Sequence, residues 1–210
     1  MRCIEDKEIA SEIDVCKSDS ICFVYVGGLH LQRWRSLRDI GKAMQILNDR
    51  GVAVTAEIYV HPRDLKLFGA ELDLPPVMSV IGSLDRHEVM ERQRKADVLM
   101  HVEDFSPINA RFTKYSMSAK IPEYLATGKP LFAYGPADIA SIEFLNDNAC
   151  ACVVSHQNIE VLAEAINNFI DSVEYRQQIS LNAQTVVRKR FAASAERERF
   201  REHIQSVTND

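Results

Sequence analysis

Lys120, Glu123 and Thr127 stand three and four residues apart in the run Lys120-Ile-Pro-Glu-Tyr-Leu-Ala-Thr-Gly-Lys-Pro130, a spacing that puts all three on one face of a short helix. A lysine there can hold a phosphate as a point charge, and a glutamate can accept both hydroxyls of a sugar diol. Taken alone, the pair reads more simply as an i, i+3 surface ion pair. Ser118 is placed to cap this helix, Pro122 falls near its first turn and Gly128 supplies a left-handed end, while Ile121, Tyr124 and Leu125 form its packing stripe.

A second set lies in Gly27-Gly28-Leu29-His30-Leu31-Gln32-Arg33. Its glycines let an anion approach the backbone, and Arg33 and Arg35 open a helix, where cations oppose the macrodipole unless an anion offsets them. Two exposed arginines reaching into water are the equal alternative. The loop is too irregular for a dinucleotide fingerprint and lacks the lysine and hydroxyl of a P-loop. Gly82-Ser83-Leu84 offers backbone that could read the edge of a base. The segment 101–118 reads as a long loop holding Glu103, Asp104, Phe105, Ser106 and Pro107. His30 and His101 read as ordinary hydrogen-bonded or surface histidines.

These loops are positioned by alternating elements. The apolar run 21–26 ends at Gly27-Gly28 and predicts a central parallel strand. Leu37, Ile40, Met44 and Leu47 recur at helical spacing over 34–49, and Gly51 stops the pattern. Further strands are predicted over 52–60, 77–81, 96–102, 130–134 and 149–154. Helices are predicted over 85–95, near 117–127 and near 137–147, while the polar stretch holding Pro62 and Pro75 is given none. This rhythm implies right-handed crossovers and an α/β, doubly wound (Rossmann-like) parallel sheet of about six strands. In such a sheet the ligand crevice lies beyond the carboxyl ends of the strands. A helical C-terminal tail follows over 159–170, 175–190 and 192–207. Its Arg188-Lys189-Arg190 run reads first as a solvated face and second as a contact for an anionic membrane.

The 210 residues suit one domain, spanning 20–210, after a polar stretch over 1–19 that reads as a linker or N-terminal extension. A net charge of −5 argues against nonspecific nucleic-acid binding. Five cysteines without ligand spacing read as reduced thiols, with Cys150 and Cys152 on one face of a strand, and no metal set is expected. No apolar run approaches the ~20 residues that span a bilayer and the opening lacks a secretion signal, so a cytoplasmic location is expected.

Together, the Tyr25-Val-Gly-Gly28 opening, Val80-Ile-Gly-Ser83, Ala96-Asp-Val-Leu99, the Lys120 to Pro130 run, and the tail residues Tyr175-Arg176, Asn182-Ala183 and Phe191 resemble the C-terminal, donor-binding domain of GT-B glycosyltransferases of the retaining group-1 type. The resemblance covers about residues 20 to 205 and implies one half of a GT-B fold. It implies that Glu123 grips the ribose of a UDP-, GDP- or ADP-sugar, that Lys120 and Arg33 approach the diphosphate beside Gly27 and Gly28, and that Gly82 and Ser83 hold the base. No cofactor beyond this donor substrate is implied, and transfer is metal-independent with retained configuration. The family's first glutamate, eight residues before Glu123, is Tyr115 here, so the resemblance leaves the sugar-side carboxylate either absent or displaced to Glu103 or Asp104 in the longer loop. Gly28 stands where the first loop usually carries an arginine. The resemblance also implies an acceptor-binding N-terminal domain, in cis or in trans, and by analogy a role in surface polysaccharide or lipid-linked glycan synthesis. A non-catalytic nucleotide-binding scaffold and a nucleotide-sugar epimerase are the alternatives.

Overall fold

A computed structural model describes residues 3–16, 18 and 20–208. Six strands, β1 (Ile21–Val26), β2 (Val54–Tyr59), β3 (Met78–Ile81), β4 (Val98–Val102), β5 (Leu131–Tyr134) and β6 (Cys152–Val154), form one sheet in the order β3-β2-β1-β4-β5-β6. Every pairing is parallel. The apolar runs that signalled strands are continuous because helices cover both sides of the sheet, and all five residues of β4 are buried.

Alternate residues feed two separate cores. Phe23, Tyr25, Met100 and Phe132 face α1 (Arg33–Asp49) and α7 (Ile159–Asp171), where Phe23, Phe132 and Phe169 make edge and tilted ring contacts. Val24, Leu99 and Ala133 face α5 (Lys120–Ala126), α6 (Ala140–Asp147) and α8 (Val173–Arg190).

Two helices occupy stretches expected to be irregular. Over α2 (Pro62–Leu72), His61 caps the Arg63 amide and Pro62 takes the first turn, but Gly69 and Leu72 are its buried residues, so it has almost no apolar period. Over α4 (Pro107–Thr113), Ser106 caps the Asn109 amide and Pro107 again starts the helix. The 101–118 segment is therefore partly helical. Between these two, α3 (Arg86–Arg94) opens with the capping box of Asp85 and Glu88.

Three local expectations are corrected. The Ser118 side chain does not cap α5; its backbone carbonyl accepts from Ile121 N at 3.1 Å, while Ala119 occupies the cap. Gly128 does end the helix at φ +73°, with the Glu12 carbonyl 2.9 Å from where a Cβ would stand. Cys150 and Cys152 do not share a face: β6 begins only at Cys152 after Ala149 at φ +46°, so Cys150 packs into one core and Cys152 into the other.

The opening stretch is a strap. Ile4 exchanges backbone bonds with Phe191 and Ala193, Ala10 N donates to Ala126 O at 2.8 Å, and Lys129 meets Asp14 at 2.6 Å. Ile4, Ile9 and Val15 are buried along it. The last helix, α9 (Ala193–Thr208), is tied back through Ser194 to Asp6. Among the described residues no helix is long and apolar enough to cross a membrane.

Candidate functional site

The strand order reverses between β1 and β4, and the crevice that a reversal opens at the carboxyl edge lies between Gly27 and Glu103. Two buried tyrosines fix the loop after β1: Tyr25 Oη donates to Gly28 O at 2.8 Å and Tyr124 Oη donates to Val26 O at 3.0 Å. Gly27 N donates to Tyr59 O, and Leu29 N to an Asp64 carboxylate oxygen. Leu31 and Gln32 then both adopt left-handed φ, at +54° and +58°, a strained pair immediately before α1.

Arg33 leaves this turn and forms a fork with Glu103, its Nη2 at 2.9 Å from Oε1 and its Nε at 3.2 Å from Oε2. Glu103 is 2% exposed and ends β4; Ser36 Oγ donates to its carbonyl, and His101 Nε2 lies 3.5 Å from its carboxylate and 3.1 Å from Ser141 Oγ. His30 contacts the far side of the Arg33 guanidinium at 2.8 Å.

Lys120, from the first turn of α5, reaches over Gly27. Its Nζ lies 5.1 Å from the centre of the Tyr25 ring and 1.6 Å from where a Gly27 Cβ would stand, so a side chain at position 27 would displace the ammonium group from this place. No carboxylate lies within ion-pair distance of Lys120 among the described residues. Burial, and then the Arg33 charge, bring its pKa down from 10.5 to about 8 against the pull of Glu103 and Glu123. The same order of causes, burial first and then Arg33 and Lys120, lowers His101 to about 3 and keeps it neutral. Burial works against the Arg33 charge, but the adjoining Glu103 outweighs it and holds Arg33 above its ordinary value. Here the cations Arg33 and Lys120 stand against the carboxylates of Glu103 and Asp64 with His101 neutral, so the charges balance, and Lys120 is the cation that lacks an ion-pair carboxylate among the described residues.

The structure thus brings Gly27, Gly28, Arg33, Glu103 and Lys120 together. Asp104 is turned elsewhere: it is 4% exposed and accepts from Asn109 Nδ2 at 2.8 Å and Ser106 N at 3.1 Å, fixing the entry to α4. Glu123 sits one turn along α5 and lines a cavity of about 210 Å³ with Leu84, Val89, Met90 and Gln93. Gly82 and Ser83 end β3 two strands away from β1, and of that loop only Leu84 lines the cavity. Tyr115 is 89% exposed. Sequence reasoning did not find the Arg33–Glu103 pair, whose members are 70 residues apart, nor the anchors Tyr25 and Tyr124. The order of the strand ends was the one signal that could have joined them. Among the described residues no group of three His, Cys, Asp or Glu is placed to hold a metal.

No protein-family model and no curated protein matches the sequence. Solved structures match its backbone. Sucrose-phosphate synthase from Thermosynechococcus elongatus aligns at a TM-score of 0.68 and 15% identity over 99% of this chain and 52% of that one. Anabaena Alr3699/HepE in complex with UDP-glucose aligns at 0.64 and 16%, over 90% and 49%. The C-terminal domain of the group 1 glycosyl transferase LpcC from Francisella tularensis aligns at 0.59 and 17%, over 85% of this chain and 95% of that domain. The chain spans about half the length of the first two proteins. Its fold is one half of a GT-B glycosyltransferase fold.

Proposed function

We propose that this chain is the donor-binding half of a glycosyltransferase, holding a UDP-, GDP- or ADP-sugar whose sugar passes to a glycan or lipid acceptor in surface polysaccharide synthesis. The observation that carries this reading is Lys120, an inward-turned cation without an ion-pair carboxylate among the described residues, lying against Gly27 beside Arg33 where the strand order reverses. The UDP and UDP-glucose complexes of Alr3699/HepE support it.

In this reading the diphosphate accepts hydrogen bonds from Lys120, from Arg33 and from the loop backbone. The charge that grows on the departing diphosphate is offset by fixed cations rather than by a metal, with the anomeric configuration retained. Glu123 accepts the ribose hydroxyls. The acceptor binds to a complementary N-terminal domain, in cis or in trans, whose closure orients the reactants and excludes water. Ile108, Phe112 and Tyr115, 72, 73 and 89% exposed on and just after α4, are apolar surface such a domain would cover. The work is placed in the cytoplasm, with peripheral membrane contact where the acceptor is a lipid.

Titration calorimetry with UDP, GDP and ADP tests the reading. One of the three binds the wild-type chain, and Glu123→Ala weakens it about fivefold or more. Equal binding by the variant removes the ribose assignment, and no binding by any of the three removes the donor reading.

Binding without transfer is a second reading, favoured by one observation: Glu103 is engaged by Arg33 and Asp104 by Asn109, while Tyr115 holds the place of the family's first glutamate. Nucleoside diphosphate release from a bound sugar donor, with the complementary domain supplied, separates the two.

A further inference from the structure

Glu103 could grip a sugar only if its carboxylate faced the crevice, and both of its oxygens face Arg33. Oε1 accepts from Arg33 Nη2 at 2.9 Å and Oε2 from Arg33 Nε at 3.2 Å, with the side chain 2% exposed. Its backbone is fixed as firmly. Glu103 N donates to Tyr134 O at 2.9 Å, Ser36 Oγ donates to its carbonyl at 2.7 Å, and its Cβ lies 2.9 Å from where a Gly135 Cβ would stand. His101 Nε2 closes a further side, 3.5 Å from Oε1. A buried carboxylate that turned away from Arg33 would leave both charges without their partner, which is strongly unfavourable.

With Nε and Nη2 engaged, the group left to Arg33 for another acceptor is Nη1. Nη1 lies 2.8 Å from Nε2 of His30, an exposed residue whose Nδ1 is 2.8 Å from where a Gly28 Cβ would stand. The open edge of the guanidinium is therefore turned toward the Gly28 backbone, one residue from the glycine that Lys120 lies against.

Resting on the donor-binding reading above, we propose that Glu103 is a positioning residue: it clamps Arg33 by Nε and Nη2 so that Nη1 meets a diphosphate oxygen in the position held by His30. It does not hold the sugar. A long side chain that must be ordered when its ligand arrives loses rotamer entropy and affinity with it, and the clamp removes that loss in advance. The sign of the effect separates this role from plain electrostatics. Deleting a negative charge beside Arg33 and Lys120 strengthens an anion's binding through Coulomb attraction, whereas deleting a positioning residue weakens it.

The experiment titrates inorganic pyrophosphate, UDP, GDP and ADP calorimetrically into the wild type, Glu103→Gln, Arg33→Met, the double variant and Arg33→Lys, with circular dichroism as a check that each is folded. Glu103→Gln weakens pyrophosphate, and whichever nucleotide the wild type takes, about fivefold. In the Arg33→Met background the same substitution weakens neither, because no guanidinium remains to be aimed. Arg33→Lys keeps the charge but has no planar fork to serve Glu103 and a phosphate at once, so it loses about tenfold; it decides the matter where Glu103→Gln does not fold. Three results overturn the role of Glu103 while nucleotide binding by the wild type keeps the donor reading: Glu103→Gln binding at least as tightly as the wild type, an equal weakening with and without Arg33, or Arg33→Lys retaining full affinity. A wild type that binds none of the nucleotides overturns the donor reading itself, and this assignment with it.

Discussion

Lys120 carries its charge where burial and a neighbouring guanidinium both disfavour it, and that tension yields two measurable consequences. Its pKa of about 8 means that part of the population is neutral near pH 8. A bound diphosphate favours the charged form and draws a proton in, so affinity for the nucleotide falls as pH rises through 8. Calorimetry in buffers of different ionisation enthalpy reads the uptake directly; constant affinity from pH 7 to 9.5 with no proton uptake contradicts it. For stability the sign is opposite to that of a partnered lysine. Between about 8 and 10.5 the unfolded chain holds a proton that the folded one has released, so the Lys120 contribution to stability rises with pH across that window. At neutral pH the charged side chain opposes folding. Lys120→Met therefore abolishes nucleotide binding and melts higher than the wild type, by roughly 2–4 °C for each kcal/mol recovered. A lower melting temperature would mean that Lys120 has a structural partner.

At the scale of elements, Arg176 holds the end of one helix, the start of the next and the strap in a single contact. It is 2% exposed and donates to the carbonyls of Phe169, Ile170 and Cys16, the first two from the last turn of α7. Its charge is offset by those carbonyls and by the negative end of α7 rather than by a carboxylate among the described residues. Arg176→Met leaves these acceptors without a donor and lowers stability by about 2–4 kcal/mol in urea titration, and Arg176→Lys recovers only part because it lacks the planar fork. An unchanged urea midpoint for the methionine variant refutes the clamp. Elements that bury a full stripe, such as α1 with Leu37, Ile40, Met44 and Leu47, were legible in the sequence, as was α3 through its Asp85 cap. The helices α2 and α4 were not, because each buries two residues and their only local signals are a His-Pro and a Ser-Pro start. The strap was hidden for a related reason: Ile4, Ile9 and Val15 are spaced five and six apart, which matches neither strand nor helix. Of the site, Lys120, Arg33 and the two glycines were legible as single residues. Their meeting point was not, because it depends on which strand lies beside β1.

The whole molecule is one sheet between two cores, and that arrangement controls how it comes apart. Removing the helices from either side exposes apolar strand residues such as Phe23 on one face or Val24 on the other, so neither core has a stable form without its partner. The strap joins residues 4–16 to α5, α8 and the start of α9, which ties the chain's opening to its tail. Trp34, the single tryptophan, stacks on Phe68 at 5.5 Å on the opposite side of the sheet from Ile4 and Ile9 of the strap. Its fluorescence therefore reports one face, while far-UV circular dichroism reports the helices of both, α1 and α7 on the Trp34 side and α8 and α9 on the other. If the domain is one cooperative unit the two thermal transitions superimpose, and the strap and tail do not melt first. A nucleoside diphosphate at a hundred times its Kd then adds about 2.7 kcal/mol and moves both curves up together by roughly 5–10 °C. A dichroism transition that precedes the Trp34 transition, or a ligand that shifts only one of them, would show that the helical tail folds apart from the sheet that carries the site.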